Sequence, residues 1–281
     1  MPVAGGVLDA LCAGVLGLLI GSFLNVVIYR LPKMLERQWA AECADLAGRE
    51  PEAAEPFNLV RPRSRCRQCG HVIRWYENIP VLSWLALRGK CSACSAPIGL
   101  RYPLVELATA GLFAFCAWKW GISWTAAAWA GFAAALVALA MIDWDTTLLP
   151  DNLTLPLLWA GLVAAALGWT LPLGQAVWGA VAGYLSLWSV YWLFKKATGK
   201  EGMGYGDFKL LAALGAWLGV QMILPIVLGA SVLGAVVGIF MKATGALREG
   251  RFVPFGPFLA GAGIVVLLAG QERVLGWLGW A

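Results

Sequence analysis

The chain has 281 residues, of which 60% are hydrophobic and only 13% are charged, and its mean hydropathy is +0.73. Soluble domains carry about twice that charged fraction, so the composition excludes an ordinary water-soluble protein and indicates a membrane protein. The net charge of +5 is less informative than the distribution of the basic residues along the chain.

Apolar runs long enough to cross a bilayer recur through most of the sequence. A span needs about 20 apolar residues, or somewhat fewer where the protein thins the bilayer. We therefore predict an all-α polytopic membrane protein with about eight transmembrane helices. The predicted spans are Val7–Tyr29, Pro103–Trp118, Trp124–Ile142, Leu153–Thr170, Ala176–Phe194, Phe208–Val220, Ile223–Met241 and Phe255–Gly270.

The basic residues predict the orientation. Nineteen of the 21 Lys and Arg lie in segments 30–102, 195–209 and 242–251. With eight spans these segments fall on one side, together with the turn 143–152, and the excess of basic residues marks that side as cytoplasmic. Both termini are then expected outside. No basic residue precedes Arg30 and the basic cluster follows it, so residues 1–29 are predicted to be a retained first span.

Small and polar residues recur at helical spacing near the end of this first span. Gly21, Ser22 and Asn25 form a stripe that favours close helix packing over a catalytic role. Arg30 is expected to mark the membrane interface, and Pro32 is expected to stop the helix. Residues 33–62 are interpreted as a short amphipathic helix and a loose linker without chemistry.

Four cysteines in two C-x2-C pairs give the clearest metal signal. Cys66 and Cys69 are followed after twenty-one residues by Cys91 and Cys94. This spacing favours a structural four-thiolate zinc site, with a redox pair or an unmetallated relic as the alternatives. His71 is expected to be a solvated loop residue rather than a ligand. Three further cysteines are interpreted as unpaired: Cys12, Cys43 and Cys116.

Aromatic and basic residues lie between and after the two cysteine pairs, in Arg74–Trp84 and Arg101–Glu106. Such residues beside a membrane typically act as interfacial anchors. Glu106 lies just inside the second predicted span. Pairing with a basic residue is favoured for it over contact with a substrate.

Two aspartates lie at the ends of long apolar runs. Asp143 ends the third predicted span, and Asp207 begins the sixth after Gly202, Gly204 and Gly206. Charge at the edge of hydrocarbon is costly, which favours a functional role for both. The glycines permit a close backbone approach, whereas an aspartate at the helix start disfavours phosphate binding. We predict that the two carboxyl groups form a dyad that activates water.

Other acidic residues near Asp143 receive different interpretations. Asp145 lies in the following turn, where it can be solvated, and by position alone it is the alternative to Asp143 as the catalytic aspartate. Asp151 follows Pro150 and has the sequence signature of a helix N-cap. In the C-terminal part, Pro254-Phe255-Gly256-Pro257 predicts a rigid turn or re-entrant entry near the active face.

These motifs, taken together, resemble those of the bacterial prepilin peptidase (type IV leader peptidase) family. The resemblance is carried, in the family's order, by Gly21–Pro32, the cysteine quartet around Trp75–Trp84, Arg101–Glu106, Ile142–Asp151, Gly204–Lys209 and Pro254–Pro257. It does not extend to residues 33–62.

The resemblance implies an inner-membrane aspartic endopeptidase that cleaves the leader of type IV prepilins or type II secretion pseudopilins after a glycine on the cytoplasmic side. Its catalytic pair would be Asp143 and Asp207. Many members also N-methylate the new terminal residue with S-adenosylmethionine, and this second activity is extended here by analogy alone. The implied organisation is a first span at 1–32, a cytoplasmic loop at 33–102 with the zinc knuckle at 66–94, associated with methyl transfer, and a peptidase core at 103–281.

Two other classes of function remain compatible with the residues themselves. One is a transporter or channel in which Asp143 and Asp207 bind protons or cations. The other is a membrane scaffold whose zinc knuckle docks a cytosolic partner. The expected partners are the pilin substrates and the lipid bilayer, and no nucleic acid is expected.

Overall fold

The computed structural model describes residues 6–49, 56–245 and 253–280. Within these ranges the chain forms helices and turns and contains no β-strand, apart from two isolated antiparallel bridges, Arg65 with Val72 and Lys90 with Pro97. The all-α prediction is therefore confirmed for these residues. The chain divides into two compact units, Met1–Ile122 and Ser123–Ala281.

The first unit is built on two long helices, α1 (Val7–Leu46) and α3 (Arg101–Trp120), with the short helix α2 (Leu82–Ala86) between them in sequence. Helices α1 and α3 pack closely because glycines remove side-chain bulk from α1. A Cβ atom on Gly21 would lie 2.7 Å from the Cα atom of Glu106. Asn25 donates a hydrogen bond to the backbone oxygen of Tyr102 at 3.1 Å. The predicted small-residue packing stripe is thus confirmed.

Helix α1 does not end at Pro32, so that prediction is wrong. The helix continues through Pro32 to Leu46 and is 40 residues long. Pro32 forfeits one helical hydrogen bond. Most of the following residues, among them Ala, Leu, Glu, Lys and Met, are strong helix formers that extend the helix. The predicted amphipathic helix is therefore the end of α1.

Arg30 is buried rather than placed at an open interface. Its Nη1 atom donates to the backbone oxygen of Asn58 at 2.9 Å, and its guanidinium lies 5.8 Å from the centre of the Phe57 ring. The last part of the linker is therefore held against α1. Residues 50–55 of the same linker lie outside the described residues, as do Arg248 and Arg251 of the predicted basic segment 242–251.

The second unit contains the remaining helices. They are α4 (Trp124–Thr146), α5 (Asp151–Ala166), α6 (Leu173–Thr198), α7 (Tyr205–Leu218), α8 (Ile223–Ala243), α9 (Gly256–Ala269) and α10 (Gln271–Trp277). Helix α7 lies at the centre, since eleven of its fourteen residues are buried and it packs on α5, α6 and α9. A glycine pair, Gly179 on α6 and Gly215 on α7, brings these two backbones into direct contact. This packing buries α7 from Asp207 to Leu218, except for Lys209, whereas Tyr205 at its start is exposed.

Four described helices are long and apolar enough to cross a membrane: α1, α4, α6 and the segment Val220–Ala243. A fifth is added if α9 and α10, which meet at a 109° bend, form one broken span. The eight predicted spans are therefore not confirmed. At 1.5 Å per residue α5 is about 24 Å long, and α7 and α9 are about 21 Å long, against about 30 Å of hydrocarbon. The apolar sequence of α7 is accounted for by burial in protein.

Candidate active site and metal centre

Asp143 lies one turn before the end of α4 and is only 4% exposed. The helix ends because Thr147 adopts a left-handed conformation (φ 54°) and its amide donates to the Asp143 backbone oxygen at 2.8 Å. The buried apolar residues of α4 face the other helices of the unit. Asp143 lies on this buried face, so its side chain is directed into the unit.

The first residue of α9 binds the Asp143 side chain. The backbone amide of Gly256 donates to Oδ2 of Asp143 at 2.9 Å, and both residues are buried. A Cβ atom at position 256 would lie 2.5 Å from the same oxygen, so only glycine fits here without displacement. The turn predicted at Pro254–Pro257 does lie beside the candidate site. The contribution of Gly256 was missed, and its only sequence signal is its position between two prolines.

Asp207 occupies the first turn of α7 and is 8% exposed. Its carboxyl group hydrogen-bonds with the backbone of Gly204, which is the N-cap residue of the helix. Gly206 allows the close approach that the sequence predicted, because a Cβ atom there would lie 2.7 Å from Cβ of Leu149.

The structure brings Asp143 and Asp207 together. Leu149 contacts Gly206, the neighbour of Asp207, and its Cδ2 atom also lies against Gly256, the hydrogen-bond partner of Asp143. The two carboxyl groups interact electrostatically. Two acidic side chains from separate helices thus share one largely buried region, as a dyad requires.

The neighbouring acids have other environments. Asp145 is exposed, in agreement with the prediction. Asp151 does not cap α5, because Pro150 is the N-cap residue; both its carboxylate oxygens instead lie 2.7 Å from Nζ of Lys209. The N-cap prediction is therefore wrong. The Asp151 carboxylate binds the Lys209 ammonium of α7 and not a backbone amide at the start of α5. The ion pair ties the start of α5 to the first turns of α7, close to Asp207.

Glu106 is buried in the first unit, and among the described residues it lacks the basic partner that the sequence favours for it. Its Oε2 atom accepts a hydrogen bond from the backbone amide of Val81 at 2.7 Å, and its carboxyl group also hydrogen-bonds with Ser22. A backbone amide and a hydroxyl supply the polar partners that burial demands. Glu106 therefore links the segment between the cysteine pairs to helices α1 and α3.

The four predicted cysteines converge on one point. Their Sγ atoms all lie within 4.8 Å of one another, and those of Cys66 and Cys94 are 3.8 Å apart. Zn–S bonds of about 2.3 Å in a tetrahedron place sulfur atoms about 3.8 Å apart, so the quartet fits a zinc ion. Hydrogen bonds from the backbone amides of Cys69 and Gln68 lower the pKa of the Cys66 thiol to about 6, which favours the thiolate that binds metal.

The two cysteine pairs share the same backbone design. Cys66 accepts from Gly70 and donates to the oxygen of His71, and Cys91 accepts from Ser95 and donates to the oxygen of Ala96. Each turn closes with a left-handed residue, Gly70 at φ 72° and Ser95 at φ 58°. Cys12, Cys43 and Cys116 are free thiols, as predicted.

His71 is half-buried and not simply solvated, which corrects that prediction. Its Nε2 atom lies 3.2 Å from Oε2 of Glu77. The hydrogen bond from the Arg74 amide, followed by those with Ser92 and His71, lowers the pKa of Glu77 to about 2. The His71 imidazole is therefore paired with Glu77 and is not a freely solvated group.

Fold and site together define a class: a helical membrane protein with a buried aspartate pair in one unit and a four-cysteine cluster in the other. Family models match both units. The model described as the bacterial peptidase A24 N-terminal domain matches residues 15–120, and that of the type IV leader peptidase family matches residues 130–239.

Curated relatives extend the match over nearly the whole chain. A protein of Pseudomonas aeruginosa is 54% identical over 96% of this chain and 94% of its own length, and one of Stutzerimonas stutzeri is 55% identical over the same shares. A protein of Aeromonas hydrophila is 54% identical over 91% of this chain and 89% of its own. All three are named prepilin leader peptidase/N-methyltransferase. No solved structure matches. The chain belongs to the type IV leader peptidase family.

Proposed function

We propose that this protein is an aspartic endopeptidase of the bacterial inner membrane that removes the leader of type IV prepilins or type II secretion pseudopilins after a glycine. We further propose that it N-methylates the new terminal residue with S-adenosylmethionine. The peptidase proposal rests on one observation: Asp143 of α4 and Asp207 of α7 lie in the same buried region, where their carboxyl groups interact electrostatically.

In the proposed mechanism one aspartate acts as the general base and the other as the general acid. Two close carboxyl groups with little solvent exposure do not both ionise readily, so they share one proton. The ionised partner takes a proton from water while the protonated partner polarises the scissile carbonyl. The Gly256 amide holds Oδ2 of Asp143, which fixes the carboxyl plane and leaves Oδ1 to meet the water.

The cysteine quartet is proposed as a structural zinc site. Zn²⁺ would be held by Cys66, Cys69, Cys91 and Cys94, and it would supply folding energy to a segment that has little apolar core of its own. Four thiolates complete a tetrahedral shell, so no coordination position remains for catalysis.

The proposed topology follows the charge pattern. The basic segments face the cytoplasm, the termini face the periplasm, and the shorter apolar helices α5, α7 and α9 join the longer ones within a locally thinned bilayer to give about eight membrane helices. Asp143 and Asp207 then lie at the cytoplasmic face, where water is available. Leader cleavage on that side is consistent with this arrangement.

Incubation of the purified protein with a prepilin in detergent tests the proposal. Cleavage after a glycine is read by N-terminal sequencing, and a gain of one methyl mass with added S-adenosylmethionine reports the second activity. Asp143→Asn and Asp207→Asn should each lower the cleavage rate by about 10²–10⁴-fold, the usual contribution of a general acid or base. Asp145→Asn, exposed on the same turn, is the matched control. Near-normal cleavage by either dyad variant would refute the mechanism, and proton or cation flux in its place would favour a transporter.

A further inference from the structure

Two cationic side chains lie against the ring of Tyr29, where the apolar part of α1 ends. The ammonium of Lys33 lies 4.0 Å from the centre of this ring and donates a hydrogen bond to its hydroxyl at 2.7 Å. The guanidinium of Arg67, which belongs to the first cysteine pair, lies 4.1 Å from the centre of the same ring. The two charges are thus closer together than the Debye length of about 10 Å at 0.1 M salt, so they repel each other.

Arg30, the next residue of α1, adds a third positive charge that is only 7% exposed. All three cations act electrostatically on the Tyr29 hydroxyl. The partners of the Arg30 guanidinium are a backbone oxygen and the ring of Phe57. Among the described residues no carboxylate lies within ion-pair distance of Arg30, Lys33 or Arg67. Buried and crowded positive charge is costly without a counter-ion, so this place suits an anionic ligand.

The exposed cations keep hydrogen-bond donors that a ligand can use. A lysine has three N–H donors and an arginine five. In the described structure Lys33 uses one of them on the Tyr29 hydroxyl, and Arg67 uses one on the Tyr102 hydroxyl at 3.0 Å. The remaining donors suit the two unesterified oxygens of a phosphodiester. We call this group the Tyr29 cluster, and it comprises Tyr29, Arg30, Lys33, Arg67 and Tyr102.

An exposed apolar stripe on α1 leads to this cluster. Steps of three or four residues keep to one face of a helix, and such steps connect Leu19, Phe23, Val26, Tyr29 and Lys33. Leu19 and Phe23 are 56% and 49% exposed. At 1.5 Å per residue the distance from Leu19 to Tyr29 is about 15 Å, half of the hydrocarbon thickness of about 30 Å. An apolar stripe of one leaflet's length that ends in cations matches the acyl chains and headgroup of a lipid.

We propose that the Tyr29 cluster binds the phosphate of an anionic phospholipid of the cytoplasmic leaflet, with the acyl chains along Leu19 and Phe23. Basic residues beside a membrane span attract anionic headgroups in this way. A soluble phosphate or a peptide carboxylate has the charge but makes no use of the apolar stripe. Because Arg67 lies between Cys66 and Cys69, the bound lipid also holds the first cysteine pair against the membrane end of α1.

Native mass spectrometry of the full-length protein in detergent tests the site, with phosphatidylglycerol, phosphatidylcholine or inorganic phosphate added. The wild type should bind phosphatidylglycerol in preference to phosphatidylcholine. Each basic residue contributes about fivefold to the attraction of an anionic lipid, so Lys33→Gln/Arg67→Gln should weaken phosphatidylglycerol binding about 25-fold and leave phosphatidylcholine binding unchanged. The control Arg63→Gln/Arg88→Gln removes the same charge from exposed residues of the same unit and should bind as the wild type does.

Metal content and the unfolding midpoint of the lipid-free preparations show whether each variant is folded. A bound lipid raises the midpoint, so phosphatidylglycerol should raise it in the wild type and not in Lys33→Gln/Arg67→Gln. Equal affinity of the wild type for the two lipids, or unchanged phosphatidylglycerol affinity in this variant, would overturn the inference. Displacement of phosphatidylglycerol by an equal concentration of inorganic phosphate would also overturn it, because the site would then take a soluble anion. If the wild type shows no lipid preference and the Michaelis constant for a prepilin rises in the variant, the cluster binds the substrate and the lipid assignment is wrong.

Discussion

Replacement of Gly256 by alanine tests whether the backbone amide of Gly256 positions the carboxyl group of Asp143, which we propose to be catalytic. The added Cβ atom would lie 2.5 Å from Oδ2 of Asp143 and 3.1 Å from Cδ2 of Leu149. An ordinary contact begins near 3.4 Å, so the carboxylate or the helix start must move by about 0.9 Å. Misplacement of a reacting group by about 1 Å costs about 10²-fold in rate, or about 2.7 kcal/mol of transition-state stabilisation.

The assay is kcat/KM for prepilin cleavage by purified protein in detergent, with the thermal unfolding midpoint measured beside it. Gly261→Ala is the matched control, since it lies on the same helix and its Cβ atom would meet no atom within 4 Å. Gly256→Ala should lower kcat/KM about 100-fold, while Gly261→Ala should leave it unchanged. Equal activity of the two variants would show that the Gly256 amide does not position Asp143, and the reasoning would be refuted.

Three further outcomes are expected. Gly206→Ala should lower cleavage by at least tenfold, because its Cβ would lie 2.7 Å from Cβ of Leu149, whereas Gly229→Ala on α8 meets open space and should be silent in the same assay. Trp217→Phe should destabilise the second unit by about 1 kcal/mol, since it removes the 2.8 Å hydrogen bond that the Trp217 indole donates to the Leu157 oxygen; an unchanged unfolding midpoint would contradict this. Removal of metal by a chelator should release about one zinc per chain and expose the four thiols to alkylation; purified protein without zinc would overturn the assignment.

Much of the candidate site follows from local pattern. A carboxylate at the edge of an apolar run is costly, and two C-x2-C pairs have few physical explanations, so Asp143, Asp207 and the four cysteines could be selected from the sequence. A dyad needs two adjacent carboxyl groups and a zinc site needs four adjacent thiolates, so each set is expected to converge. The structure places the two aspartates together and the four cysteines together. Their roles in catalysis and metal binding, and the boundary of the peptidase core at residue 103, stay predictions.

Contacts between elements that are distant in the chain could not be predicted from any local sequence pattern. The Gly256 amide carries no side chain, and its hydrogen bond to Asp143 depends on how α9 begins. Asp151 after a proline fits an N-cap, but the nearby Lys209 ammonium attracts the carboxylate more strongly. Glu106 and His71 likewise have partners contributed by other segments.

The sequence by itself determined that this protein is helical, that it belongs in a membrane, and which residues are candidates for its chemistry, because hydropathy, cysteine spacing and charge placement are local properties. Only the tertiary structure decided which apolar helices form the interior: α7 reads like a membrane span but is enclosed by its neighbours. Lipid and protein interior accept the same apolar side chains, so composition does not separate them. Glycines let α6, α7 and α9 approach one another, and this close packing encloses α7 in protein. The same packing determines where Asp143 and Asp207 meet.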